Sequence, residues 1–294
     1  MRHAHGIALA CSLLVAAPAA AAASPGVTVM PRAARPGDPV LVTVTGAHAR
    51  PSGKAAGAPL RFFRAMRGYQ AVFAIPLDRE PGEMSIDIDA GGAEESARVH
   101  VRAHEFPEAS VIVEEEYADP DPSQAKLIDA DNHAIREALR AADGVEPRFT
   151  RRFQRPTKGR ETSGFGEWRT INDGHRSQHL GVDLAAREGA RVHAVNDGTV
   201  VLVRDCFLAG KVVVVSHGGG IASAYFHLSE PLVAEGDVVR RGRVVGRAGH
   251  TGRTTGPHVH LSIWTAGNFV EPTSFLRLPI HPRRARGTTT AATW

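Results

Sequence analysis

Pro257-His258-Val259-His260-Leu261-Ser262-Ile263-Trp264, read as a β-strand, decides how the C-terminal half of this chain is put together. Successive strand side chains point to opposite faces, so His258 and His260 share a face, ~7 Å apart along the strand. Both can therefore address one small site. Upstream, His179 and Asp183 lie four apart around Gly181, and Val182-Asp183-Leu184-Ala185 reads as a short apolar strand with a carboxylate embedded in it. Such a carboxylate is costly unless it is paired or bound to a metal. Tyr225-Phe226-His227-Leu228-Ser229 adds a further histidine. Three nitrogen or oxygen ligands with one position left open make a catalytic zinc site, whereas structural sites close the fourth position, usually with Cys. No cysteine lies near these motifs.

In order, the motifs are H-x-G-x-D, Y-x-H-L-S and G-x-x-x-G-P-H-x-H. They resemble the lysostaphin-type, or LytM-domain, zinc metalloendopeptidases, which hydrolyse peptide cross-links of peptidoglycan. A lone H-x-H would be a weak signal; three motifs in sequence with matching glycines are a strong one. The resemblance runs over roughly residues 155 to 276, from the lead-in Ser163-Gly164-Phe165-Gly166 to the closing Val270-Glu271-Pro272-Thr273-Ser274-Phe275-Leu276. It implies one zinc ion per chain, held by His179, Asp183 and His260. It also implies that His227 and His258 are the two histidines that do not bind the metal. Zinc lowers the pKa of its water toward about 7 and polarises the scissile carbonyl. On this resemblance the two histidines would jointly take the water proton and stabilise the oxyanion or protonate the leaving amine. Phe207-Leu208-Ala209-Gly210 and His250 depart from the family's usual residues and touch only loops.

The rest of the chain is organised around this unit. Its 294 residues, 43% hydrophobic, allow about two domains plus processed segments. Residues 1–23 carry Arg2, an apolar run from Ile7 to Ala17 and Ala21-Ala22-Ala23, which is the pattern of a secretory signal peptide. The run is too short and too rich in Ala for a transmembrane anchor. Cys206 is then the sole cysteine of the mature chain and forms no internal disulfide. Residues 24–104 show short β-branched or alternating runs punctuated by Gly and Pro, the signature of an immunoglobulin-like β-sandwich. No catalytic constellation lies in it, which leaves wall binding, partner docking or a spacer role.

Residues 105–150 form a linker. Glu114-Glu115-Glu116 with Pro120 and Pro122 makes a solvated, extended break, and Ala125 to Ala142 has helical periodicity ending near Gly144. That helix is expected to pack across the junction of the two domains. Residues 151–280 are the metallopeptidase domain, opened by a basic lead-in that includes Arg151, Arg152 and Arg155. A long loop is expected from Glu167 to Gln178, and in similar enzymes loops at this end line the substrate groove. Arg169, Asn172 and Arg176 are therefore groove candidates. His175 has helical spacing to His179, but Asn172-Asp173-Gly174 argues for a turn, so it stands outside the ligand set. His193 is expected to be exposed, and His217 to play a supporting structural role. Glu235-Gly236-Asp237-Val238-Val239 also suits a biotinyl or lipoyl carrier hairpin, a reading that fails because no suitable lysine is present. Residues 281–294 read as a disordered basic tail.

The predicted fold class is mainly β: an immunoglobulin-like sandwich, a helical linker and a LytM-type antiparallel sheet. With a formal charge of +4 and a pI near 9.4, the chain suits anionic partners, and an exported protein meets wall polymers rather than nucleic acid. The predicted location is the periplasm or the extracellular space, with no transmembrane anchor. The expected function is a secreted zinc endopeptidase acting on peptidoglycan. The competing reading is a non-catalytic wall-binding or amidase-activating protein, a class that typically lacks one or more of the five site residues retained here.

Overall fold

Alternation along the strand Pro39–Thr45 ties the two halves of the molecule together. Val40, Val42 and Val44 face Ile86, Ile88 and Val99 of a second sheet, while Leu41, on the opposite face, joins a different core. The neighbouring strand Gly68–Ala74 does the same, with Ala71 and Phe73 on one side and Val72 and Ala74 on the other. The two central strands of this four-stranded sheet are thus buried on both faces. Its sandwich partner has five strands, and Gly82–Asp89 within it alternates buried Met84, Ile86 and Ile88 with exposed residues. The computed structural model describes residues 25–283. The expected signal peptide and residues 284–294 of the expected tail lie outside the described residues.

The C-terminal half is built on a ten-stranded sheet in which every pairing is antiparallel. At its centre His258–Thr265 lies between Val182–Ala185 and Ile221–Pro231. The helix Ala125–Arg140 lays Ile135, Ala138 and Leu139 against Val212, Val214 and Trp264 of this sheet. It therefore packs on the C-terminal sheet rather than across the domain junction. Asp131, buried on the helix, is satisfied by the Arg204 guanidinium at 2.8 Å and the Phe207 N–H at 2.9 Å.

Two further expectations change. The segment 167–178 is a hairpin, not a loop: Trp168–Ile171 pairs with Arg176–Gln178, and the linker strand Glu108–Val111 adds in parallel to form a third sheet. The reason lies in the turn, where Asn172 and Asp173 have φ of 45° and 59° and the Gly174 N–H donates to the Ile171 carbonyl at 2.8 Å. Two consecutive left-handed residues match the twist of flanking strands, and Asn and Asp tolerate that conformation. Residues 281–283, expected to open a disordered tail, are placed against the fold instead. The His281 carbonyl accepts from the Met66 N–H and the Arg283 N–H donates to the Arg64 carbonyl, both at 2.9 Å, so residues 281–283 dock on the N-terminal sandwich.

Phe63 carries the contact between the halves. It meets Phe149 at 6.2 Å between ring centroids, Phe149 meets Phe153 at 4.9 Å, and Phe153 meets Phe275 at 4.9 Å, all edge-to-face. Truncating a buried Phe leaves a cavity that rigid sheets do not close. Phe63→Ala should lower the unfolding free energy by about 3–5 kcal/mol in urea titrations; a loss below about 1 kcal/mol would show that the halves are stable independently.

Candidate metal centre

Strand register brings the motifs together. Asp183 sits directly opposite His260, and Ala185 opposite His258. On the other side of the central strand Phe226 pairs with His260. The next residue, His227, is the extra residue of a bulge, because Val213 pairs with Tyr225 but Lys211 pairs with Leu228. A bulge re-aims a side chain that would otherwise alternate away. Here it puts the His227 backbone in the left-handed region, φ 58°, a strained conformation of order 1–3 kcal/mol that the surroundings must hold. Gly181 is required by close approach: a Cβ there would collide with the His260 ring and the Leu261 carbonyl.

Three donor atoms converge. His179 Nε2 lies 2.8 Å from His260 Nδ1 and 3.2 Å from Asp183 Oδ1, and the latter two are 2.9 Å apart. Hydrogen bonds behind them decide which nitrogens are bare. His179 Nδ1–H donates to the Gly164 carbonyl at 2.7 Å, leaving Nε2 as a lone pair. The Ser262 hydroxyl donates to the Leu180 carbonyl at 2.8 Å, so its oxygen accepts from His260 Nε2–H at 2.9 Å and Nδ1 is left bare. Such outer partners fix ring orientation and tautomer in metal sites. Asp183 turns its second oxygen, Oδ2, to the Arg169 guanidinium at 2.6 Å, and Arg169 is held in turn by Glu167 and Ser163.

The remaining two histidines flank this triad. Their rings lie 5.0 Å apart, and His227 lies 6.0 Å from His260. His227 Nδ1–H donates to the Thr251 carbonyl at 2.9 Å and His258 Nδ1–H to the Gly256 carbonyl at 2.8 Å, so neither Nε2 is spent on the backbone. His258 Nε2 is 3.4 Å from Asp183 Oδ1.

Electrostatics follow the burial. Desolvation alone would raise Asp183, but its close contacts with the His179, His258 and His260 rings outweigh it and hold the carboxyl far below the usual range. Burial, reinforced by the neighbouring histidines, pushes His227 down to about 3. His260 falls to about 4, chiefly through burial. Burial also opposes charge on His258, yet its hydrogen bond and attraction to Asp183 leave its pKa above the ordinary value. Near neutral pH His227 is therefore an uncharged base. A cleft of about 540 Å³ opens beside the cluster, walled by the linker helix at Ile135, the hairpin at Ile171, and Phe226 and Phe269 of the sheet.

All five residues singled out from the sequence meet at this one place. Of the groove candidates, Arg169 lines the cleft. Asn172 instead bonds both the N–H and the carbonyl of Val113, and Arg176 stacks on Trp168 and pairs with Glu108, so these two tie the hairpin to the linker. His175 lines the cleft but stands outside the donor cluster. His193 is half-buried, with a ring nitrogen on the Pro156 carbonyl, rather than exposed. Cys206 is buried and its thiol is pushed up to about 11, mainly by desolvation, which makes it inert. Sequence reasoning missed Ser262 and the tie of Arg169 to Asp183. Ser262, two residues past His260 and so on the same strand face, was legible in principle.

His217 supports the sheet from behind. Fully buried, it donates Nδ1–H to the Asp197 carbonyl at 2.8 Å, and Nε2 accepts from the Ser223 hydroxyl at 2.9 Å. Ser223 contacts the Tyr225 hydroxyl at 3.0 Å, which accepts from the Val195 N–H at 2.8 Å. This chain anchors the strand that presents His227.

Residues 177–272, which contain all five site residues, match the sequence profile described as Peptidase family M23. The peptidoglycan DD-endopeptidase ShyB of Vibrio cholerae is 37% identical over 125 residues, 42% of this chain and 29% of ShyB. The DD-carboxypeptidase/endopeptidase Mpg of Neisseria meningitidis is 34% identical over 146 residues, 50% of this chain and 31% of Mpg. The chain thus spans about a third of the length of these curated relatives. Among solved structures, a candidate peptidase M23 from Pseudomonas aeruginosa is similar at 28% identity and a TM-score of 0.60. That similarity covers 78% of this chain and 88% of the Pseudomonas chain.

Burial pushes His217 down to about 4 from an unfolded value near 6.5. A depressed histidine stabilises the fold fully above the unfolded pKa and loses that contribution as pH falls toward the folded one. The stability difference between the wild type and His217→Asn should therefore shrink by roughly 2 kcal/mol from pH 7 to pH 4.5. Parallel urea midpoints for the two proteins across that window would refute a neutral His217.

Proposed function

We propose, with residues 177–272 forming a Peptidase family M23 domain as the premise, that this chain is an exported zinc metalloendopeptidase that hydrolyses peptide cross-links of peptidoglycan. The observation that carries the reading is the convergence of three deprotonated donors beside an open cleft that His179 and His260 line, with two tethered histidines next to them. The proposal includes the division into a sandwich at 24–104, a linker at 105–150 and a peptidase domain at 151–280. The names of the relatives support peptidoglycan as substrate and a bond between D-configured residues as the one cut.

The donor set fits zinc. Two imidazole nitrogens and a carboxylate oxygen stand 2.8 to 3.2 Å apart, near the about 3.3 Å edge of a tetrahedron with zinc–ligand bonds of ordinary length. Three lone pairs facing one another repel unless a cation sits between them. His179, Asp183 and His260 would hold the ion, which would supply a water of lowered pKa and a Lewis acid for the scissile carbonyl. His227, neutral and with Nε2 bare, is placed to take the proton of the attacking water. His227 and His258 share the work of stabilising the oxyanion and returning the proton to the leaving amine. Arg169 keeps Asp183 Oδ2 occupied, so that Oδ1 alone faces the metal side.

The decisive experiment is mass spectrometry of fragments released from purified peptidoglycan by the zinc-loaded protein and by His260→Ala. Release of uncross-linked peptides by the wild type alone supports the proposal and names the bond; zinc binding without release points to a wall-binding role. His227→Ala should bind zinc normally while losing about 10²- to 10⁴-fold in kcat. Arg169→Gln should weaken zinc about 10- to 100-fold in chelator competition; unchanged affinity would remove Arg169 from the site.

A further inference from the structure

The cleft beside the donor triad has an unbalanced charge. Arg136, Arg169 and Arg253 line it with His175, yet no aspartate or glutamate does, in a chain with 31 acidic residues. Arg169 is neutralised by Asp183 and Glu167. Arg253 has no such match: among the described residues its half-buried guanidinium makes no hydrogen bond or ion pair. Desolvation, and then the nearby charge of Arg169, lower its pKa. A cation taken out of water without a counter-charge is costly unless a ligand supplies one.

The position of Arg253 is fixed. Its N–H donates to the Leu208 carbonyl at 2.8 Å. On one side Thr251 accepts from His227, and on the other the Thr254 hydroxyl lies 3.2 Å from His258 Nδ1. Arg253 thus projects from the loop that orients both flanking histidines, into a cleft whose remaining wall is largely apolar.

We propose that Arg253 anchors a carboxylate subsite: it receives a free carboxylate of the peptide substrate, with Arg136 adding positive charge from the linker helix. The proposal rests on the peptidase reading and names the substrate feature that the cleft selects. A guanidinium matches a carboxylate with two parallel hydrogen bonds, and the apolar wall beside it suits a peptide stem.

The test uses a cross-linked muropeptide dimer with free carboxyls and the same dimer with those carboxyls amidated. Calorimetry on the zinc-free full chain excludes carboxylate–metal contact. The wild type should prefer the acid by about 10- to 100-fold, the range expected for a charged hydrogen-bonded contact. Arg253→Gln should lose that preference while binding the amide as the wild type does, and Arg253→Lys should keep part of it. No preference in the wild type, including failure to bind the acid, overturns the subsite, as does a preference retained by Arg253→Gln. Turnover of both dimers by the zinc-loaded protein is measured separately. Acid preference without cleavage would sink the peptidase reading and leave the subsite standing.

Discussion

The structure depends on one buried carboxylate. Asp183 sits in a strand whose neighbours Val182 and Leu184 are core residues, so its charge cannot stay there without compensation. Arg169 from the hairpin supplies a counter-charge, and His179 from the turn before the strand and His258 and His260 from the adjacent strand crowd the other oxygen. Antiparallel register delivers His260 opposite Asp183, and the parallel addition of the linker strand to the hairpin steadies the element that carries Arg169.

Position is then converted into chemistry by hydrogen bonds behind the rings. Four histidines each spend one nitrogen on a backbone carbonyl or on a serine hydroxyl, and each presents the other to the site. An imidazole free to rotate would present either nitrogen in many directions; one pinned at its far side presents a single lone pair. The N-terminal sandwich contributes at longer range. Because Leu41, Phe63, Val72 and Ala74 of its four-stranded sheet join the C-terminal core, it is not a tethered accessory. Thr265, at the end of the strand that carries both His258 and His260, donates its hydroxyl to the Val72 carbonyl across the junction at 2.8 Å.

What the sequence revealed and what it hid divide along a physical line. The strand period places His258 and His260 on one face, and a carboxylate in an apolar run is conspicuous, so these features are local and legible. The alternation of Val40, Leu41 and Val42 was legible as a strand, but not as a strand buried on both faces, because which core receives Leu41 is decided by residues such as Tyr225 and Ile263 far along the chain. The hairpin at 168–178 was hidden by its composition: Arg, Thr, Asn, Arg, Ser and Gln carry no apolar alternation, and its strands are stabilised by a parallel neighbour some 60 residues away in sequence. Its turn residues were the available signal. The left-handed conformation of His227 follows from a bulge, a feature of pairing that a single strand does not encode.

The loop from Gly249 to Gly256 shows why geometry in this site is shared. Its Thr251 hydroxyl accepts from the Lys211 N–H and donates to the Leu228 carbonyl, while a Cβ on Gly252 would strike Gly210 and the Leu208 carbonyl. Packed that closely, the loop cannot shift by an ångström without breaking backbone contacts on both sides. The same loop supplies the carbonyls that orient His227 and His258 and carries Arg253 between them. Arg253, which faces the cleft, and the carbonyls that orient the two flanking histidines therefore ride on one rigid frame. Misplacing reacting atoms by about 1 Å can cost a hundredfold in rate, so a single frame lowers the number of elements that must be held to that tolerance. Rigidity here comes from glycine-to-backbone contact rather than from side-chain packing, and the loop can accordingly be short, polar and close to solvent without being loose.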